Sequence, residues 1–302
     1  MAIPFFQGEC FFMRKFLLSA AAAMLAAVCA AEVEMPLIIG HRGDREFGFQ
    51  NTMSAYQAAW KNGVKAVEID VRTTADGKLI CFHDADFIKT ANDRRKVNKL
   101  TYKEILAIDI GSSKHPMFKN EKPPLLEDFF AAMPKDTHVV VELKNNSTDE
   151  NFPYVLRDLM KKYNIAQSQL TVVSFNEELL KNLNRKVPGM RNMLIVGLGA
   201  CRQFGMKAPA NDPNLVLDKI LAKLKEIGCT GISFGASDKR IKYDDKFLKA
   251  LTAAGYELSV WTVNDTWDVY NLAKAGAVSV TTDRPSTMKQ AWEKLFGKQT
   301  AK

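Results

Sequence analysis

Two acidic residues on one predicted strand, Glu68 and Asp70 in AVEIDV (residues 66–71), are the first candidates for chemistry in this sequence. Side chains alternate between the two faces of a strand, so both carboxylates point the same way and Val67, Ile69 and Val71 point the other. Two ionised carboxylates inside a protein repel one another and are costly to bury unless a cation compensates them. A hard divalent cation is the natural compensator, because such ions take oxygen ligands.

A third carboxylate, Glu142, lies in VVVELK (residues 139–144) on another predicted strand, close to Lys144. It could supply a third oxygen ligand to the same cation. The alternative is a buried salt-bridge network in which Lys144 and Arg42 neutralise the three carboxylates without a metal. Of the two, a metal site is the favoured interpretation of the residues alone.

Two of the four histidines, His41 and His83, end predicted strands directly beside a charged residue, Arg42 or Asp84. A single histidine at such a position is usually structural. Two histidines near one carboxylate cluster are better explained as an acid and base pair, because imidazole titrates nearest to neutral pH. His115, in a polar loop, and His138, at the start of a strand, are assigned no catalytic role.

The elements that must position these residues form an alternation of short β-rich runs and segments with helical periodicity, which is typical of βα units. Eight such units in 302 residues predict an α/β fold of the TIM-type (β/α)8 barrel class, whose active sites lie at the carboxyl ends of the strands. KLICFHD (residues 78–84) is predicted to be an extra strand, and residues 85–137 a long excursion with two helices, both between strands two and three. The eight strands are predicted at residues 37–41, 66–71, 139–143, 171–175, 192–197, 231–235, 257–263 and 278–282.

The first 31 residues have the pattern of a secretory signal peptide, in which Met13-Arg14-Lys15 precede an apolar run over residues 16–31. Met13 is a candidate for the true start. An uncleaved anchor and a lipoprotein attached at Cys29 are the alternatives, but the run is short for a bilayer span and Val28 is bulky for lipoprotein processing. A periplasmic or secreted protein is therefore expected, with one domain over residues 32–302.

Composition excludes several other classes of protein. The chain is 47% hydrophobic and 25% charged, which is ordinary for a globular protein and argues against extensive disorder. The net charge of +8 comes from scattered lysines and arginines with no aromatic-interleaved basic stretch, so no nucleic-acid partner is predicted. Removal of the signal peptide leaves three cysteines, Cys81, Cys201 and Cys229, which cannot all pair, so no disulfide framework is predicted.

Several ordered blocks resemble one known family. HRG followed by NT, then EIDVRTTADGKLICFHD, VVVELK, VWTVN and TDRP are similar to the glycerophosphodiester phosphodiesterases, part of the barrel superfamily that includes phosphatidylinositol-specific phospholipase C. The resemblance runs from about Leu37 to Pro285. It implies hydrolysis of a glycerophosphodiester to sn-glycerol 3-phosphate and an alcohol, with Mg²⁺ or Ca²⁺. The residues implied are His41 and His83 in catalysis, Glu68, Asp70 and Glu142 as metal ligands, Arg42 and Lys144 at the phosphate, and Trp261 at the substrate mouth.

One residue departs from the pattern of that family. Gln50 in Gln50-Asn51-Thr52 stands where a glutamate is typical, so a metal ligand at this position would keep its oxygen and lose its charge. We expect Asp44 or Glu46, close in the chain, to replace that charge in part. The alternative is that position 50 only braces the loop.

The functional alternatives left open by the sequence belong to two classes. Within enzymes, the substrate could be a lysophospholipid or another phosphodiester, with some contact to a membrane surface if apolar side chains are exposed around the mouth. A barrel that binds phosphodiesters without catalysis is the alternative outside enzymes.

For the acid and base pair, we expect His41 to be the base and His83 the acid. The sequence leaves the oligomeric state open.

Overall fold

A computed structural model describes residues 33–144, 150–197, 200–205, 213–235 and 245–297. The chain from Met35 onward groups into one compact unit. The predicted signal peptide lies outside the described residues and stays a prediction. None of the described helices is both long and apolar enough to cross a membrane.

The described residues form eleven strands and eleven helices. The strands are β1 (Leu37–His41), β2 (Ala66–Thr73), β3 (Leu79–Cys81), β4 (Asp86–Phe87), β5 (Asp93–Lys96), β6 (His138–Leu143), β7 (Leu170–Ser174), β8 (Asn192–Val196), β9 (Gly231–Gly235), β10 (Glu257–Trp261) and β11 (Ala277–Thr282). The helices are α1 (Met53–Lys61), α2 (Ile88–Ala91), α3 (Tyr102–Leu106), α4 (Leu126–Ala132), α5 (Phe152–Tyr163), α6 (Glu177–Lys186), α7 (Ala200–Gln203), α8 (Leu217–Ile227), α9 (Asp245–Ala253), α10 (Thr266–Lys274) and α11 (Pro285–Phe296).

Eight of the strands close into a parallel barrel in the order β1-β11-β10-β9-β8-β7-β6-β2, and β2 pairs back to β1. The predicted TIM-type barrel is confirmed, and each predicted barrel strand is present. The ends of β1 and β9 are as predicted, and each of the other six strands differs by one or two residues at one end or both. The largest differences are in β2, which continues to Thr73, and in β10, which ends at Trp261 although ELSVWTV suggested Val263.

The barrel interior contains an apolar layer below the carboxyl ends of the strands. Its buried members are Ile39, Ala66, Val140, Val173, Met193 and Ile195. Ala66 lies on the inner face of β2, so by alternation Glu68 and Asp70 also point inward. Val67, Ile69 and Val71 are fully buried on the opposite face, as predicted.

The extra strand β3 pairs antiparallel with the end of β2, outside the barrel, as the sequence suggested. The excursion after it has a hydrophobic cluster of its own, in which Phe87 and Ile105 are fully buried. Of the two predicted helices in this segment, α3 begins after a capping box of Thr101 and Glu104, and α4 leads to β6. The β4/β5 hairpin and α2 were not predicted, because two to four residues are too few to show a periodicity.

Cys81 and Cys229 are buried free thiols.

Candidate active site

The strand register brings the predicted site residues together at the carboxyl end of the barrel. β6, β2 and β1 are neighbours, and in their pairing His41 is opposite Glu68 while Asp70 is opposite Glu142. Lys144 follows the end of β6 directly. Residues separated by up to a hundred positions therefore share one small volume, because adjacent parallel strands present the same ends to the same face of the sheet.

Glu68, Asp70 and Glu142 form a compact carboxylate cluster. Each offers an oxygen atom, and these oxygens all lie within 4.8 Å of one another. Lys144 is the main cation inside the cluster, with Nζ 2.8 Å from Oδ1 of Asp70 and 2.5 Å from Oε1 of Glu142. Arg42 approaches from the other side, with Nε 3.1 Å from Oδ2 of Asp70. The salt-bridge network considered from the sequence is thus present in part.

The two cations leave the cluster one negative charge in excess, and the pKa values reflect this. Burial, together with the charge of Asp70, raises the pKa of Glu142 to about 7. The same two causes, with the charge of Glu142, raise the pKa of Glu68 well above its usual range. Burial also acts to raise the pKa of Asp70, but Lys144 and Arg42 outweigh it and hold that pKa low. Two of the three carboxylates therefore lack full compensation.

This cluster fits a hard divalent cation. Its donors are three carboxylate oxygens from two neighbouring strands, which is the chemistry that Mg²⁺ and Ca²⁺ prefer. Oδ1 of Asp70 is buried and accepts no hydrogen bond of acceptable geometry. Its neighbour is Nζ of Lys144, at an ion-pair distance of 2.8 Å. A buried carboxylate oxygen in that state is available as a ligand.

His41 is held by an aspartate from the other end of the chain. Its Nδ1 lies 2.7 Å from Oδ1 of Asp283, which follows β11. A carboxylate only accepts hydrogen bonds, so the proton belongs on Nδ1 and Nε2 is left for the substrate. Burial lowers the pKa of His41, and the hydrogen bond to Asp283 opposes that shift.

His83 is held differently, by the residue next to it. Its Nδ1 is 3.0 Å from Oδ1 of Asp84, which also accepts a hydrogen bond from Lys89. Burial lowers the pKa of His83 to about 4, and the charges of Lys144 and Arg42 act in the same direction. His83 is therefore neutral near pH 7 until negative charge is placed beside it.

Both histidines and most of the cluster line one cavity of about 180 Å³. The polar residues that line it include His41, His83, Arg42 and Lys144. Its apolar lining includes Trp261 and Phe175, whose rings meet edge to face at 6.1 Å. The indole Nε1 of Trp261 donates to the Ser233 carbonyl, which fixes the ring at the rim. All the predicted site residues except Gln50 and the buried Asp70 line this cavity.

Comparison with known proteins decides the family. The model of the glycerophosphoryl diester phosphodiesterase family matches residues 41–287, which is most of the chain. The chain belongs to this family. Among its relatives, the glycerophosphodiester phosphodiesterase of Caldanaerobacter subterraneus is 27% identical over 83% of this chain and 96% of its own length. A lysophospholipase D of Homo sapiens is 26% identical over 83% of this chain and 84% of its own length.

Solved structures share the barrel. A phosphodiesterase of Oleispira antarctica, determined with the product sn-glycerol-3-phosphate, has a TM-score of 0.72 and 24% identity over 86% of this chain and 97% of its own. A glycerophosphodiester phosphodiesterase of Agrobacterium tumefaciens has a TM-score of 0.64 and 24% identity over 85% of this chain and 100% of its own. At these identities the likeness establishes the fold.

In this member of the glycerophosphoryl diester phosphodiesterase family, two further residues position groups of the site and were not identified from the sequence. Asn51 has a left-handed backbone (φ 54) and donates from Nδ2 to Oδ2 of Asp70 at 2.7 Å. Arg72 donates to the carbonyl oxygen of His83 at 2.6 and 2.8 Å. A sequence signal existed for Arg72, because it is two residues beyond Asp70 on the same face of β2. Asn51 is part of the quoted NT motif.

Asp283 and Arg45 are the other residues without a predicted role. Arg45 pairs with Asp283, and Asn264 donates to the second oxygen of that carboxylate at 3.3 Å. Burial raises the pKa of Asp283, but His41 and Arg45 outweigh it, so the carboxylate stays ionised at neutral pH. Asp283 lies in the quoted TDRP motif, and its position after a barrel strand was the available signal.

The prediction that Asp44 or Glu46 replaces the missing charge at position 50 is wrong. Asp44 is fully buried and accepts a hydrogen bond from Ser286, and Glu46 accepts one from Thr287, so both hold the loop to α11. Oε1 of Gln50 accepts a hydrogen bond from Nη1 of Arg42 at 2.8 Å. The amide thereby positions the arginine, and both its predicted contact with a metal and the alternative that it only braces the loop stay predictions.

The remaining histidines lie outside the site. His115 caps the short turn that follows it, and His138 bonds the Ser168 carbonyl and Thr171 at the opposite end of the barrel. Their predicted lack of a catalytic role stays a prediction.

Proposed function

We propose that this protein hydrolyses glycerophosphodiesters to sn-glycerol 3-phosphate and an alcohol, with a divalent cation and two histidines. One observation carries the proposal: both histidines, Arg42, Lys144 and the carboxylate cluster surround a single cavity in a barrel of this family. The Oleispira antarctica structure with its bound sn-glycerol-3-phosphate supports the same product. The oligomeric state has no part in the proposal.

The phosphate would be held by positive charge on two sides. Glu68, Asp70 and Glu142 would hold Mg²⁺ or Ca²⁺, which supplies charge for the phosphoryl oxygens as negative charge builds on them. Lys144 and the guanidinium of Arg42 would donate to the same phosphate. Asp70 and Gln50 orient Arg42, so the guanidinium is in place before the substrate arrives.

Proton transfer would be divided between the histidines. His41, with Nδ1–H held by Asp283, would take the proton of the attacking hydroxyl at Nε2. As that oxygen bonds to phosphorus, the bond to the leaving alcohol breaks, and Nε2 of His83 gives its proton to the alkoxide. The negative substrate raises the pKa of His83, so substrate binding and protonation of the acid go together. The attacking hydroxyl is that of water, or the glycerol 2-hydroxyl by way of a cyclic phosphate.

The test is release of sn-glycerol 3-phosphate from glycerophosphocholine and glycerophosphoethanolamine by the purified chain with EDTA, Mg²⁺ or Ca²⁺. We expect release that requires a cation, is lost in His41→Ala and is kept in the control His115→Ala. A folded protein without release under any of these conditions would overturn the proposal and favour a binding role.

Lysophospholipids are a second candidate class of substrate. Large apolar side chains are exposed on the loop after β1 and on the excursion: Phe47 is 59% exposed, Ile88 48% and Met117 72%. Such a rim suits contact with a lipid surface, and the human relative is named a lysophospholipase D. Lysophosphatidylcholine in vesicles should then be cleaved faster than glycerophosphocholine, and Phe47→Ser should reduce only the vesicle reaction. Equal loss on both substrates would argue against membrane contact.

We also propose export to the periplasm or the medium, from the sequence of residues 13–31 alone. Amino-terminal sequencing of the protein from its native host should find a start after Ala30 or Ala31. An intact amino terminus would contradict this.

A further inference from the structure

A second cavity, of about 340 Å³, lies beside the first and shares Arg42 and His83 with it. Its wall comes from the excursion and from the loop after β1. The lining consists of Arg42, Phe49, Gln50, His83, Asp84, Lys89, Thr90, Ser113 and Lys114. The mechanism above uses only Arg42 and His83 of this set, with Gln50 and Asp84 as their supports.

Arg42 and His83 line both cavities, so a phosphate bound to them would lie where the two cavities meet. A phosphodiester has two ester arms that leave the phosphorus in different directions. A phosphate held at Arg42 and His83 can place one arm in each cavity. His41 and the carboxylates Glu68 and Glu142 line only the first cavity, where the nucleophile must be activated. The arm in the second cavity is therefore the one that His83 can protonate as it leaves.

The charge of the second cavity is positive. Asp84 is the single carboxylate among its described lining residues, and it is already bonded to His83 and Lys89. Gln50 contributes an uncharged amide. Lys114 lies with Nζ 5.7 Å from the ring centre of Phe118 and has no ion pair with any carboxylate that the structure describes. Burial and the nearby charge of Arg45 lower its pKa, as expected where positive charges gather.

We propose that this cavity receives the leaving alcohol and selects alcohols that carry an additional anionic group, with Lys114 as the residue that recognises it. The inference rests on the proposed function and names a substrate class within it. A quaternary ammonium alcohol fits poorly, because the described lining has one phenyl ring, that of the buried Phe49, and an excess of cations.

Glycerophosphoserine and glycerophosphoethanolamine are a matched pair for the test, because they differ by one carboxylate. Their Kd values are measured by calorimetry on the His41→Ala variant with Mg²⁺, and their kcat/KM values on the unaltered enzyme. We expect glycerophosphoserine to be preferred in both measurements, and Lys114→Gln to reduce the preference about three- to five-fold, as for a partly exposed ion pair. The preference should also shrink as salt is raised from low to physiological strength.

Lys119→Gln is the matched control, because Lys119 is an exposed lysine of the same segment that does not line the cavity. It should leave the preference unchanged. Hydrolysis of both substrates at equal kcat/KM, or a preference that survives in Lys114→Gln, would overturn the subsite and leave the proposed function intact. A preference in Kd with no turnover of either substrate would overturn the proposed function instead.

Discussion

At the scale of single residues, the two histidines differ in how they are held. His41 depends on Asp283, 242 positions away, and Asp283 is itself held by Arg45 and Asn264. His83 depends on its neighbour Asp84 and on the bonds from Arg72 to its own carbonyl. His41, the proposed base, is thus oriented by barrel closure, and His83, the proposed acid, by local structure after β3.

Asp283→Asn tests the first arrangement. Asparagine can still accept from Nδ1 of His41, but it removes the negative charge that raises the pKa of this histidine. We expect kcat/KM to fall about 10- to 100-fold and its acidic limb to move to lower pH. Asp136→Asn, at an exposed pair with Lys65, is the control. A loss of activity with an unmoved acidic limb would mean that Asp283 acts only on folding.

His83→Ala tests the assignment of the acid. Alkyl alcohols are poor leaving groups and need the proton, whereas nitrophenolate leaves without one. We expect the variant to lose about 10²- to 10⁴-fold in kcat on glycerophosphoethanolamine and far less on a nitrophenyl phosphodiester of glycerol. Equal losses on both substrates would show that His83 is the base or a phosphate ligand.

At the scale of elements, the excursion between β3 and β6 has a hydrophobic cluster of its own and contributes side chains to the second cavity. It supplies Lys89 and Lys114, and its cluster includes Phe82, next to His83. Its strands and helices are too short to be stable by themselves. Packing of the hydrophobic cluster therefore has to stabilise them.

Ile105→Ala tests this dependence. Ile105 is fully buried in α3, and its truncation should reduce the free energy of unfolding by about 2–5 kcal/mol, measured with urea. The adjacent Leu106 is 37% exposed, so Leu106→Ala is the control and should have an effect of less than about 1 kcal/mol. If the excursion positions His83, kcat should fall in Ile105→Ala under conditions where circular dichroism still shows a folded barrel. Unchanged kcat would separate the excursion from catalysis.

At the scale of the whole molecule, the carboxylate cluster links stability to pH and to cations. Glu142 has a pKa raised from 4.5 to about 7 by burial and by Asp70, so its ionisation opposes folding when no cation is bound. For an acid with a raised pKa in the folded state, the contribution to stability is present below pH 4.5 and is lost as pH rises through about 7.

Glu142→Gln measures that linkage without reference to activity. In EDTA, the stability of the variant relative to the unaltered chain should increase by about 1–3 kcal/mol between pH 4.5 and 7.5. The buried histidines change the free energy of unfolding with pH in the opposite sense. Because both proteins contain these histidines, their contribution cancels when the two free energies of unfolding are subtracted. With saturating Mg²⁺ or Ca²⁺, the unaltered chain should become the more stable of the two proteins at pH 7.5. The cation binds its three carboxylates more tightly than the two that remain in the variant. A difference that is independent of pH and cation would mean that Lys144 and Arg42 already compensate the cluster.

The sequence by itself determined the alternation of strands and helices, the barrel class, and the common face of Glu68 and Asp70. These follow from local periodicity, since side chains alternate on a strand whatever surrounds it. Residue types and strand patterns also singled out both histidines and all three carboxylates, the resemblance of ordered blocks implied their roles, and the barrel brings them to one end.

Only the tertiary structure decided the pairing of His41 with Asp283, the bond from Asn51 to Asp70, and the second cavity. These contacts depend on barrel closure and on how the excursion packs, which no local pattern records. The same cause explains the wrong prediction for Asp44 and Glu46. Both are near Gln50 in the chain, but the turn at Arg42 and Gly43, with φ of 61° and 93°, and the hydrogen bonds to α11 direct them away from the cluster. Nearness in sequence indicates contact only where the backbone between two residues is regular.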